Sequence, residues 1–137
     1  ANTLSQKWRE ILKNPKENRW SKRLEFNDSY DVEVETLDSL ITSFGKPDYI
    51  KIDVEGLEWE VLQGLSHTVK ILSFEANYPH FKEETLLCVT KLNQLSPKTV
   101  FNIINQDFEF FWAEHQNFEF TIHWLNNTEL KYFEVFC

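Results

Sequence analysis

Three ionisable residues, Lys51, Asp53 and Glu55, alternate with Ile50, Ile52 and Val54 in the run "YIKIDVEGLEWEVLQG", and Glu75 closes the apolar run "ILSFE" further along. Carboxylates can accept a proton, hold a hydroxyl in line for attack, or balance a cation, and a lysine beside them can orient them. Left unpaired in a dry interior such groups are costly, so they must be paired, wet or facing a ligand. In an open α/β sheet the ligand crevice lies beyond the C-terminal ends of the strands. Asp53 and Glu55 are expected at that end of one strand and Glu75 at that end of the next, which outlines an acidic rim. Lys51, two residues before Asp53 on the same face, is the expected internal partner. The competing reading is a local ion network that only fixes the loop.

Those residues need elements to carry them. Ser5 can cap a helix with Leu4, Trp8, Ile11 and Leu12 on one face, stopped by Asn14 and Pro15. "DVEVE" at 31–35 alternates with period two and predicts a strand. Thr36 then caps a helix with Leu37, Leu40, Ile41 and Phe44 on one face, with Gly45 after its end and Pro47 preventing its continuation. A strand is expected at 48–54, a helix after Gly56 with Leu57, Val61, Leu62 and Leu65 inward, a strand at 69–75, and a helix at 83–95 carrying Cys88, Leu92 and Leu95. Strands alternating with helices through short loops predict βαβ units, a parallel sheet and helices on both of its faces. From Thr99 onward "TVFNIIN", "FEFFWAE", "FEFTIHW" and "KYFEVFC" predict short antiparallel aromatic strands. Phe108, Phe110, Phe111, Trp112, Phe118, Phe120 and Trp124 are then expected in the core, with an acceptor-binding platform as the alternative.

The 137 residues suffice for one core, and a single domain spanning 1–137 is expected. The net charge of −8 is uneven, because residues 1–31 carry seven basic against five acidic side chains and the remainder seven against seventeen. A field of that sign repels phosphate backbones, so nucleic acid is not an expected partner. No apolar run approaches the roughly 20 residues that span a bilayer, which predicts no membrane contact and a cytoplasmic protein. Cys88 and Cys137 have neither metal nor redox spacing, and His67, His80, His115 and His123 lack ligand spacing, so no metal is expected. His80, in the loop after Glu75, is a minor acid/base candidate. No nucleophile motif, P-loop or zinc motif is present.

"VEVETLDSLITSFGKPDYIKIDVEGLEWEVLQGL" resembles the FkbM-type S-adenosylmethionine-dependent methyltransferases, and "ILSFEANYP" resembles that family's next strand. The likeness is close over 32–79, looser over 4–30 with "LSQKW" and Trp20, and one of type only in the aromatic tail. It implies a Rossmann-like class I methyltransferase sheet of α/β class, in which the 48–54 strand is the fourth, 69–75 the fifth, and the tail the sixth and antiparallel seventh. The family's first strand ends in a glycine-rich turn for the cofactor, and its second ends in an acid for ribose. Gly45, Gly56 and Gly64 form no Gly-x-Gly pattern. The first strands are therefore expected to be missing, with the chain the C-terminal part of such a domain and an exposed sheet edge able to self-associate.

The resemblance further implies S-adenosylmethionine as cofactor and a hydroxyl of a small metabolite or glycan as methyl acceptor. Asp53 is the expected base, with Glu55 second and Lys51 orienting them. Asp53 and Glu75 are the expected cofactor contacts. The alternative is a non-catalytic protein-interaction domain derived from the same fold.

Overall fold

In the computed structural model, residues 3–18, 22–26, 29 and 31–137 are described. Trp20 lies outside them. The elements follow as α1 (Gln6–Lys13), α2 (Leu37–Phe44), β1 (Tyr49–Ile52), α3 (Glu58–Gln63), β2 (Ile71–Asn77), α4 (Lys82–Leu95), β3 (Asn102–Ile104), α5 (Phe118–Asn127) and β4 (Tyr132–Phe136). Side-chain oxygens cap three of the helices: Ser5 accepts from Trp8 N, Thr36 from Ser39 N and Asn117 from Phe120 N.

The strands form one mixed sheet in the order β1-β2-β4-β3. β1 and β2 are parallel, with Ile52 opposite Phe74, while β4 runs antiparallel to both β2 and β3. Side chains alternate across this sheet. On one face Ile52, Leu72, Phe74, Ala76, Ile103, Phe133 and Val135 join Leu62, Leu65, Cys88, Val89, Leu92 and Leu125 of the helical layer in the main core. The other face carries Lys51, Ser73, Glu75, Asn77 and Glu134. A second, smaller cluster forms where Trp8, Ile11 and Leu12 of α1 meet Phe81, bordered by Leu24, Phe26 and Tyr132.

Several expectations are corrected. Residues 31–35 form no strand, and Val32 and Val34 are exposed. Alternation alone cannot hold an isolated segment extended, and no strand among the described residues pairs with it. "FEFTIHW" is the body of α5, because the Asn117 cap and the inward Phe118, Thr121, Ile122 and Leu125 impose a helical period over the aromatic alternation. "FEFFWAE" is mostly loop, tied to the sheet by the isolated bridge between Ile104 and Phe110. Phe108, Phe110, Phe111 and Phe120 lie at the surface rather than in the core, whereas Trp112, Phe118 and Trp124 pack against it. In α1 Leu4 is exposed, and in α2 Leu40 and Phe44 are exposed while Leu37 and Ile41 pack inward. Helices α3, α4 and α5 pack in the main core, while α1 packs beside Tyr132, which shares the Asn77 face of the sheet. The α/β class and the antiparallel terminal strand stand.

Candidate functional site

β1 ends at Ile52, so Asp53 is the first residue past the strand, and Glu55 follows in a turn whose backbone is left-handed at Glu55 (φ 54°) and Gly56 (φ 96°). Glu75 lies two residues before the end of β2 rather than at its tip. The parallel register that sets Ile52 beside Phe74 brings Asp53 beside Glu75 one step later. One carboxylate oxygen from each of Asp53, Glu55 and Glu75 lies within 4.8 Å of the others, with Asp53 exposed and the other two half-buried. The acidic rim therefore exists. Three such oxygens can take a divalent cation, a sulfonium or ammonium group, or the hydroxyls of a sugar.

Lys51 is not the partner of these acids. Its Nζ pairs with Glu134 on β4, which also accepts a hydrogen bond from Ser73 Oγ at 3.1 Å, and Ser73 Oγ is 2.7 Å from the Tyr49 hydroxyl. The reason lies in the sheet: β4 crosses between β2 and β3, and Glu134 sits directly across from Glu75, a placement no local pattern announces. The charge of Asp53 still acts on Lys51: partial burial, the largest single influence, lowers its pKa, but Glu134 and then Asp53 together outweigh it and leave the pKa raised.

Four residues that sequence reasoning passed over complete the site. The Trp8 indole N–H donates to Glu55 Oε2 at 2.6 Å, and the Thr3 hydroxyl donates to the Glu55 backbone carbonyl at 2.8 Å. Asn77, 1% exposed, donates its amide N–H to Glu75 Oε2 at 3.0 Å. Glu58, 6% exposed, accepts the Gly56 N–H at 3.2 Å, which ties the first turn of α3 to the turn that carries Glu55. Burial pushes the Glu58 carboxyl up to about 7, helped by the charge of Glu75 and opposed by backbone N–H groups. The one clue in the sequence was Glu58 itself, an acid on the otherwise apolar side of "LEWEVL".

Two hollows in the molecule are lined by residues other than these acids. One, of about 260 Å³, is lined by His67, Lys70, Leu95, Lys98, Val100 and Cys137 at the opposite end of the strands, and another, of about 380 Å³, lies among Lys7, Pro79, His80 and Glu83. His80 thus shares a hollow with Lys7 of α1. Cys88 and Cys137 are free thiols raised by burial, the latter up to about 12. Among the described residues no helix is long and apolar enough to cross a membrane.

An α/β chain whose carboxylates converge around the C-terminal ends of adjacent parallel strands has the layout of a ligand-binding site. The Methyltransferase FkbM domain matches residues 1–127, and the chain belongs to that family. The match takes in the N-terminal helix and α5 as well as the closely similar central stretch. No curated protein and no solved structure matches the chain.

Proposed function

We propose that this chain carries the carboxylate half of a methyl-transfer site in an S-adenosylmethionine-dependent O-methyltransferase acting on a hydroxyl of a small metabolite or glycan. The observation that carries the proposal is the meeting of Asp53, Glu55 and Glu75 within 4.8 Å in a chain of the FkbM family. The sheet supports the same reading. Taking β1, β2, β3 and β4 as the fourth, fifth, sixth and seventh strands of a Rossmann-like methyltransferase sheet accounts for the single antiparallel strand, β4, standing between β2 and β3.

The residues fit the cofactor in part. Carboxylates accept hydrogen bonds and carry negative charge, which suits ribose hydroxyls and an ammonium through hydrogen bonds and a sulfonium through charge, and Glu75 and Asp53 are the side chains that would hold them. The glycine turn has no counterpart among Gly45, Gly56 and Gly64, which form no Gly-x-Gly pattern, and Gly56 itself packs under Phe81, whose ring an added Cβ would meet at 2.7 Å. S-adenosylmethionine, when bound, supplies an electrophilic methyl group. The chain's own contribution is to hold an acceptor hydroxyl in line and to take its proton. Asp53, the exposed acid, receives that proton, and alignment with exclusion of water supplies most of the rate.

A cytoplasmic location belongs to the proposal and is supported by the two unpaired thiols. The second reading, an interaction domain, is favoured by one observation: Lys51 is spent on Glu134, so part of the charged strand is structural. Calorimetry with S-adenosylhomocysteine separates the two. Micromolar binding that weakens at least tenfold in Glu75→Gln supports the enzyme; absence of heat with folded protein shown to be full length supports the interaction domain.

A further inference from the structure

We propose that Trp8 is a positioning residue of the carboxylate site, holding Glu55 in place so that Asp53 is the acid left open to the acceptor. The inference rests on the methyl-transfer reading above.

Three negative side chains brought within 4.8 Å repel one another, so each must be held where it is. Asp53 follows directly from a strand and Glu75 lies within one. Glu55 sits instead in a left-handed turn. Among the described residues, a fully buried tryptophan from 47 residues earlier in the chain reaches its side chain, and that indole has one N–H donor and no acceptor.

The rest of the N-terminal segment secures Trp8. Ser5 Oγ accepts the Trp8 backbone N–H at 3.1 Å, the Trp8 ring meets Phe81 edge-on at 5.6 Å, and Lys7 reaches both the Phe81 ring and Glu84. Thr3 adds the bond to the Glu55 carbonyl. The side chain and the backbone of one residue are thus both held by α1 and the residues before it. Glu55 then serves as a fixed charge beside the reacting groups, and α1 becomes part of the site rather than a peripheral helix.

Trp8→Phe keeps a ring against Phe81 and removes the donor; Glu55→Gln keeps Trp8 and changes the acceptor. The Trp8 indole N–H proton resonance in two-dimensional nitrogen–proton spectra is expected downfield of the other indoles and shifted upfield by Glu55→Gln but not by Asp53→Asn. S-adenosylhomocysteine affinity, by calorimetry, is expected to fall at least tenfold in Trp8→Phe. An indole signal indifferent to Glu55→Gln, or equal affinity in wild type and Trp8→Phe, overturns the role of Trp8. If wild-type protein shown to be full length gives no heat although the indole signal still responds to Glu55→Gln, the methyl-transfer reading fails and takes this role with it, a result distinct from both.

Discussion

Glu58 shows how much of the site's character is decided by single side chains. Its carboxyl is buried beneath the turn it holds and titrates near 7, so the folded state prefers it protonated. Because the folded pKa lies above the unfolded value of 4.5, the native state binds more protons than the unfolded chain between those limits. Stability is therefore expected to fall as pH rises from about 4.5 to 7, by up to about 3 kcal/mol for this group taken alone. Glu58→Gln should flatten that slope and raise the melting temperature at pH 8, as followed by circular dichroism; an unchanged slope would show that burial is relieved in solution. That Asp53 and Glu75 would meet was legible from strand-end reasoning, although Glu75 lies two residues before the end of its strand. That Trp8 and Asn77 hold the cluster, and that Glu134 takes Lys51, was not. Trp8 and Glu134 arrive from 47 and 83 residues away and leave no local pattern, and Asn77 passes for an ordinary strand residue.

At the scale of elements, the junction between β1 and α3 does the most for function. Gly56 combines a φ of 96° with contact against the Phe81 ring, so a methyl group there is opposed by the backbone and by the neighbour alike. Gly56→Ala is expected to cost at least about 2 kcal/mol in urea unfolding and to displace Glu55. Full stability in that variant would mean that Phe81 moves aside freely. The capped helices α1 and α2 were readable because Ser5 and Thr36 precede clear helical periods. α5 was not, because its aromatics fall at both helical and strand spacing, and only the Asn117 cap and the packing of Leu125 choose between them. The 31–35 segment failed for the opposite reason: its pattern is that of a strand, but a strand needs a neighbour.

For the whole molecule, β1 stands at a sheet edge that no strand covers among the described residues, with Tyr49 half-exposed and Phe44 and Val34 more so. An uncovered edge with apolar neighbours invites pairing. Reversible self-association is expected in sedimentation experiments as concentration rises, and Tyr49→Lys should diminish it; a single monomeric species throughout would count against the edge as an interface. The account as a whole stands on Asp53 receiving the acceptor's proton, and transfer of labelled methyl from S-adenosylmethionine into small-molecule and glycan acceptors measures this most directly. Asp53→Asn is predicted to lower kcat/KM by roughly a hundredfold or more, with the melting temperature preserved. Equal transfer by the wild type and Asp53→Asn would contradict it.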